Sequence, residues 1–483
     1  MKTLKKGIAA LLTAAFINSA FAQVSIGGVS VQNAENQRTE IETKYGKFTV
    51  KSGYPLERYE SGAVKSFYVE DYGGKIIPQL KIPNFGSLYF VTPYPKDNDV
   101  LSRINTHPVE FWENGNLKSV YIGDIKYSSL DGDTHLKITL SKYKHKSGRN
   151  KGKMETLSVF PKSVIYFYET GELKSFTVAQ GQTLQFLRAM TTTDAQRAKQ
   201  LFKNQSTIEL YENGSVKSFT PSDSAVLTYK NPLGLMIAKG TAITLSPEDE
   251  TVLTSFYPAK GASLSLGSDI VVKLSDSMPV VFYDDGKALK QITWSFDSIN
   301  FTLGKVDFYS GLNGEAVRQT VYFNEDGSVK TVSGVMTTSF DGEKSLSYYP
   351  ALVEGKAVNV RQIEYDADGN MTMADLGCNA IELTSEKVKD GVQSVNVWKV
   401  YYRAGKKIAA AGNIHLQSSK GNFYDTHYSC IILLDGDSVL QIIRPDGNEN
   451  ISADSNIIFA SDGRAVSYTA ISPDGNIVEI KIR

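Results

Sequence analysis

The sequence predicts an all-β fold of repeated antiparallel β-hairpins, arranged as an extended twisted sheet or as packed sheets, with a β-propeller as the alternative. Three observations predict it. Close copies of Tyr211-Glu212-Asn213-Gly214-Ser215-Val216-Lys217-Ser218-Phe219 recur from residue 54 almost to the C-terminus. Each copy reads as strand, turn and strand: apolar Ile208 and Leu210, a turn cluster, then apolar Val216 and Phe219. The composition of 22 Phe, 26 Tyr, 39 Gly and only 8 Met in 483 residues suits twisted strands and tight turns rather than helices.

The turn follows from backbone chemistry. A Gly one step after Asn suits a type I turn followed by a residue in the left-handed region, the three-residue loop with a G1 bulge, because Gly takes positive φ without steric cost. The copies Arg444-Pro445-Asp446-Gly447 and Ser472-Pro473-Asp474-Gly475 agree, since Pro presets φ at the first central position and Asp tolerates the second.

Counting outward from the glycine gives the pairing. The residue four before Gly faces the residue two after it, so Phe111 meets Leu117, Phe167 meets Leu173, Leu210 meets Val216 and Phe323 meets Val329 on a buried face. One step further out, Glu57 is expected opposite Lys65, Glu110 opposite Lys118 and Glu209 opposite Lys217, with Tyr166 facing Lys174 and Tyr322 facing Lys330. Such cross-strand pairs contribute about 0.2 to 1 kcal/mol each.

Along the chain, residues 1–22 read as a signal peptide: Lys2, Lys5 and Lys6, an apolar run from Gly7 to Ile17, and Ala20-Phe21-Ala22 before Gln23. The mature chain is therefore expected in the periplasm or secreted. No later apolar run approaches the roughly 18 residues of a membrane helix, so no transmembrane segment is expected in the mature chain. An outer-membrane barrel is disfavoured by a terminus ending in Arg483 and by strands shorter than the roughly 9 to 11 residues of a spanning strand. The turn glycines are Gly62, Gly115, Gly171, Gly214, Gly286, Gly327, Gly369, Gly447, Gly463 and Gly475, with a unit near 42 residues in three of the spacings. Residues 23–345 are expected to form a hairpin-repeat region and 346–483 a C-terminal all-β region with degenerate repeats. Each unit reads as a hairpin plus linking strands. One helix is expected over Thr193 to Lys203.

The Tyr-Glu-Asn-Gly-x-x-Lys-Ser pattern at Tyr59 to Phe67, Trp112 to Val120, Tyr168 to Phe176 and Tyr211 to Phe219, and more loosely at Tyr283 to Ile292 and Asn324 to Val332, resembles the variant MORN repeats of YwqK-type antitoxin-like proteins. The resemblance implies an array of antiparallel hairpins and carries over no catalytic residue. The period here is about twice that family's, and the Gly-rich second half of its unit is missing. Tyr365-Asp366-Ala367-Asp368-Gly369-Asn370 resembles a single Tyr-Asp repeat, and the terminal Ser-Pro-Asp-Gly resembles the blades of some periplasmic β-propellers.

No catalytic, metal or cofactor residue is expected. Asp366 and Asp368 could begin a calcium loop, but Met371 stands where that pattern needs Gly. Gly436-Asp437-Ser438 resembles the nucleophile block of GDS-type hydrolases, yet no His follows Ser438. His107, His135, His145, His415 and His427 lack metal-ligand spacing. Lys plus Arg equals Asp plus Glu at 52 each, so no global field favours nucleic acid.

The candidate partner-binding residues are of two kinds. The aromatics one step inside each turn, Tyr59, Trp112, Tyr168, Tyr211 and Tyr283, form a ladder that either stacks on a partner or packs repeat against repeat. The segment from Lys142 to Lys153 carries six cations in twelve residues, including Lys144, Lys146, Arg149 and Lys151, and is either an anion-docking site or a solvated loop tip. Cys378 and Cys430 could form one disulfide in an oxidising compartment. The leading expectation is an exported, non-enzymatic repeat scaffold of the cell envelope or surface that binds an envelope or host protein or a polysaccharide. The alternative is a periplasmic or secreted glycan hydrolase with its site in the inter-repeat insertions.

Overall fold

The structure, a computed structural model, describes residues 39–50, 54–69, 79–82, 86–89, 108–122, 137–144, 149, 151–160, 163–178, 206–221, 229–267, 269–297, 299–310, 316–339, 342–377, 381–384, 392–417, 423–436, 438–444, 449–452 and 454–482. The fold is all-β, and the described residues include no helix. The expected signal peptide at 1–22, the helix at 193–203 and the Gly447 turn lie outside the described residues. The chain divides into two compact units, Met1–Val226 and Leu227–Arg483.

In the first unit the sheet is a meander in strict chain order. Glu57–Arg58, Val64–Phe67, Val109–Phe111, Leu117–Ile122, Ser163–Phe167, Leu173–Thr177, Thr207–Leu210 and Val216–Phe219 pair antiparallel, each with the next. Two hairpins outside this sheet, Glu40–Thr43 with Gly46–Thr49 and Lys137–Lys144 with Met154–Ser158, form a covering layer. Phe48 of the first lies 5.7 Å from Phe67, and Tyr45 lies 6.2 Å from Phe111, ring to ring.

The second unit repeats the plan with longer strands. Its sheet runs Ile243–Leu245, Leu253–Phe256, Val280–Phe282, Leu289–Phe296, Val317–Phe323, Val329–Ser333, Gln362–Tyr365, Met371–Asp375, Val392–Arg403, Lys406–Gln417, Phe423–Asp435 and Ser438–Ile443. Its covering hairpin Phe301–Leu303 with Val306–Phe308 stacks Phe301 on Phe308 at 4.9 Å and sets both against Trp294 and Phe296. A three-stranded meander, Ile457–Phe459, Ala465–Ile471 and Ile477–Lys481, packs Ile457, Tyr468 and Ala470 against Met373, Tyr401, Ala409, Ala411 and Ile431. The sheets stay open, and the described residues form neither a closed barrel nor a propeller.

The turns are the expected ones at Gly62, Gly115, Gly171, Gly214, Gly327, Gly369, Gly463 and Gly475; the Gly286 loop is one residue longer, with the Tyr283 amide donating to Ala288 O at 2.9 Å and Phe282 facing Leu289. In the Gly214 hairpin the Gly214 amide donates to Tyr211 O at 2.8 Å and the Tyr211 amide donates to Ser215 O at 2.8 Å. That is a type I turn closed by a glycine at φ 79°. The same pair of bonds recurs at Gly62, Gly115, Gly171, Gly327, Gly369, Gly463 and Gly475. Where the residue before the glycine is Asn or Asp, rather than Ser61 or Thr170, it has a local role: Asn213 Oδ1 accepts the Ser215 amide at 2.9 Å, and Asp326 Oδ1 accepts the Ser328 amide at 2.9 Å.

The first pair beyond the turn also matches: Phe111 faces Leu117, Phe167 faces Leu173, Leu210 faces Val216 and Phe323 faces Val329, all buried. The second pair does not. Glu57 faces Ser66, Glu110 faces Ser119, Tyr166 faces Ser175, Glu209 faces Ser218 and Tyr322 faces Thr331. A second bulge shifts the register at each of these hairpins, and the recurring lysine is the extra residue it inserts. Simple alternation outward from the turn therefore fails one step past the first pair. The bulge leaves the amide just before the lysine for the covering layer: the Leu117 amide donates to Tyr45 Oη at 3.0 Å and the Val216 amide to Tyr143 Oη at 2.7 Å.

Two glycine substitutions separate backbone strain from crowding. At Gly214 an added Cβ meets nothing within 4 Å, so Gly214→Ala costs only the left-handed conformation, about 1 to 2 kcal/mol. At Gly286, φ 67°, the added Cβ collides with Val252 as well. Urea denaturation will therefore show Gly286→Ala as the more destabilising of the two.

Candidate partner-binding face

The repeated aromatics occupy the face opposite the Phe and Leu core, and each reaches across to the next repeat. Tyr59 Oη donates to Phe111 O at 2.8 Å, Trp112 Nε1 to Phe167 O at 3.3 Å, Tyr168 Oη to Leu210 O at 2.6 Å and Tyr283 Oη to Phe323 O at 2.8 Å. The acceptor is always the carbonyl four residues before the neighbouring turn glycine. The polar end of the ring is thereby fixed by the adjoining hairpin. Tyr211 has a further interaction of its own and is not a free ring.

The bulge lysines cover the same rings. Lys118 Nζ stands 5.3 Å from the centre of Trp112, Lys174 5.6 Å from Tyr168, Lys217 6.0 Å from Tyr211 and Lys290 5.4 Å from Tyr283. Each distance is within the roughly 6 Å reach of a cation–π contact. Lys65 and Lys217 also pair with Glu57 at 3.3 Å and Glu209 at 3.6 Å, so these two expected ion pairs form even though the residues are not directly opposed. Glu110 takes a different partner, accepting from Ser119 Oγ at 2.6 Å. The face is a self-fastened row of ring, cation and carboxylate rather than a line of bare aromatics.

The cationic segment stands apart from this row. Lys144, Arg149 and Lys151 are exposed at the end of the Lys137–Lys144 and Met154–Ser158 hairpin, whereas Lys146 lies outside the described residues. Cys430 is buried and free, with Sγ 3.5 Å from Gly412 O and its thiol pushed up to about 12 by burial. Cys378 lies outside the described residues. Asp366 is fastened within its own turn, accepting from the amides of Asp368 and Asn370 at 2.9 and 2.8 Å. Among the described residues no group of three His, Cys, Asp or Glu is placed to hold a metal. No helix among them is long and apolar enough to cross a membrane.

One cluster in the second unit carried no sequence signal. Arg361 grips buried Asp375 with two bonds, Nε to Oδ1 at 3.1 Å and Nη2 to Oδ2 at 3.0 Å, and also reaches Asp454 at 3.2 Å. Lys399, 4% exposed, donates to Ser455 O and Asn456 Oδ1, both at 3.0 Å. Tyr401 Oη accepts the Ile457 amide at 3.1 Å, and Arg403 donates to Asp462 O. Lys399, Tyr401 and Arg403 alternate along one strand, so a single strand face fastens the segment that leads into the C-terminal meander. Burial holds the Lys399 ammonium below its usual value, opposed by Asp375.

No family model matches the chain, and no curated protein matches it. The solved structures it matches include a mutant Tc holotoxin pore of Photorhabdus luminescens, at 10% identity over 90% of this chain and 23% of that chain, with a TM-score of 0.09. A likeness this slight carries no argument about fold or function.

Removing one brace tests its contribution. Tyr168→Phe keeps the ring and the lysine contact but leaves Leu210 O without this donor, and is expected to lower the free energy of unfolding by about 1 kcal/mol in urea denaturation.

Alkaline titration tests the buried phenols. Tyr229, Tyr349, Tyr365 and Tyr401 are all raised above their usual 10.0 by burial. In the unfolded chain they ionise near that value and in the fold they do not. Their stabilising contribution is therefore complete below pH 10.0 and is lost as pH rises beyond it. Lys399, shifted downward, opposes them: the unfolded state binds more protons in the window below 10.5, so its share of stability rises with pH there. Urea midpoints are expected to fall above about pH 10, with tyrosinate absorbance lagging until the chain unfolds.

Proposed function

We propose that this chain is an exported, non-enzymatic repeat scaffold of the cell envelope or surface that holds a polysaccharide or protein partner. The observation that carries it is the brace repeated from hairpin to hairpin, with Tyr59, Trp112, Tyr168 and Tyr283 each bonded to a backbone carbonyl of the adjoining repeat. Those bonds make each hairpin a support for the next, as in other arrays whose units contact mainly their neighbours. A stiff sheet with a regular surface suits presentation of many weak contacts to an extended partner. The variant MORN resemblance and the exported location belong to this same reading, supported by the hairpin array and by the charged, apolar and small-residue order of residues 1–22.

The brace also redefines what the face offers. The aromatic rings contribute mainly to rigidity, because their polar ends are bonded and, at Trp112, Tyr168, Tyr211 and Tyr283, a lysine lies over the ring. Contacts to a partner then fall to exposed side chains outside the brace. Incubating the mature chain with a panel of soluble polysaccharides tests the reading: binding without shortening of the polymer is expected, and release of new reducing ends would establish the hydrolase instead.

A further inference from the structure

In the first unit the second pair of each hairpin lines up with the second pair of the next. Glu57 faces Ser66, Ser66 faces Glu110, Glu110 faces Ser119, Ser119 faces Tyr166, Tyr166 faces Ser175, Ser175 faces Glu209 and Glu209 faces Ser218. One residue per strand thus makes an unbroken row across eight strands, in which a carboxylate or phenol alternates with serine. Directly opposed residues share a face of the sheet. From Ser66 onward every member is followed in sequence by a buried apolar residue, Phe67 for the first and Phe219 for the last, so the row points away from the core.

The row is low at its serines and open between them. Ser66, Ser119 and Ser175 are buried, whereas the side chains of Glu57 and Glu209 are 50% and 46% exposed and Tyr166 is 45% exposed. The bulge lysines stand beside it, Lys65 on Glu57 at 3.3 Å and Lys217 on Glu209 at 3.6 Å, so both ends carry paired rather than bare charge. A carboxylate accepts from hydroxyl groups, and an ammonium donates to them. Neighbouring strands lie about 4.7–4.9 Å apart, so the open positions repeat about every 9.5 Å along a row about 34 Å long.

We infer that this row is a docking track for a neutral, extended β-linked polysaccharide lying across the strands; the inference rests on the scaffold reading and names its partner class. Period and polarity carry it. Two pyranose rings joined end to end through equatorial bonds span about two strand spacings, and in such a chain every second ring turns the same hydroxyls to the same side. Each hairpin then meets the same groups of the polymer. The twist of a sheet, about 20 to 25° per strand, is taken up by rotation at the glycosidic bonds. Hydroxyl groups add their hydrogen bonds to the paired charges as they stand, whereas a polyanion has to draw Lys65 and Lys217 away from Glu57 and Glu209. Tyr166, which stands where Glu57, Glu110 and Glu209 stand in the other hairpins, offers an exposed ring to the C–H face of a sugar.

The test titrates the mature protein with cellobiose, cellotetraose and cellohexaose, and with dextran and polygalacturonate. Each added pair of rings reaches a further hairpin, so each step in length is expected to tighten binding at least about threefold. Dextran and polygalacturonate are expected to bind more weakly than cellohexaose. A row variant carries Glu57→Ala, Lys65→Ala, Glu209→Ala and Lys217→Ala, which removes two exposed ion pairs without changing the net charge. It is expected to bind cellohexaose at least about tenfold more weakly while its urea midpoint stays near that of the unmodified chain, because exposed pairs contribute little stability. Should that midpoint fall, Tyr166→Ala alone takes its place, with binding expected about threefold weaker. A control variant with Glu42→Ala, Lys47→Ala, Glu343→Ala and Lys344→Ala, all at exposed positions, is expected to bind as the unmodified chain does. Equal cellohexaose binding by the row variant and the unmodified chain would overturn the row while leaving the scaffold reading in place. Cellohexaose left unbound, affinity that does not rise with length, or tighter binding of polygalacturonate would overturn the inference as well. Shortened cellohexaose would instead overturn the scaffold reading, because it reports hydrolysis whether or not the row matters.

Discussion

Everything regular in this protein depends on one backbone constraint, a residue at positive φ three positions into each hairpin turn. Gly62, Gly115, Gly171, Gly214, Gly327, Gly369, Gly463 and Gly475 all lie between 78° and 94°, where a side chain is disfavoured. That conformation closes a three-residue loop, and the loop fixes which residue four steps back meets which residue two steps on. The first pair is apolar and buried at the Gly115, Gly171, Gly214 and Gly327 hairpins, so there setting the turn also sets the buried face. A lysine-bearing bulge then follows at the next step of the Gly62, Gly115, Gly171, Gly214, Gly286 and Gly327 hairpins.

The bulge explains why hairpins become an array. It brings the lysine onto the aromatic of its own turn and leaves an amide that, at Leu117 and Val216, a covering tyrosine takes up. The same aromatic reaches the neighbouring repeat's carbonyl, so one ring is held by its own hairpin and holds the next. A single hairpin is marginal in water, and each of these is completed by others. Stability in such an arrangement is shared between nearest neighbours, and a lost brace weakens one junction rather than the whole chain.

How much of this was legible in the sequence follows from the range over which each feature acts. Turn type and the first buried pair are settled within seven residues, by Asn213-Gly214 and by Leu210 with Val216, and both were readable. The lysine bulge was not, because Lys217 fits simple alternation as well as it fits a bulge, and the ion pair Glu209–Lys217 forms in either case. The aromatic ladder is visible in the sequence, yet the carbonyls it bonds belong to the next repeat, which parity within one hairpin does not identify. The cluster of Arg361, Asp375, Lys399 and Asp454 lay furthest from view. Its members come from separate strands and a loop, and no local pattern marks a lysine that becomes buried only when Ser455 and Asn456 close over it.

Recurrence itself separates structural from functional residues here. A side chain that each repeat needs in order to fasten to the next must recur, as Tyr59, Trp112, Tyr168 and Tyr283 do, and its bonds account for it. The ring at the turn is therefore a poor guide to what a partner touches. The row beside it differs in kind, because Tyr166 stands where Glu57, Glu110 and Glu209 stand and the same register carries all of them. The fold fixes the position and leaves the side chain open. In a protein built from copies, such a position keeps its spacing from hairpin to hairpin through the ladder, and its side chain is where selection for a partner has room to act.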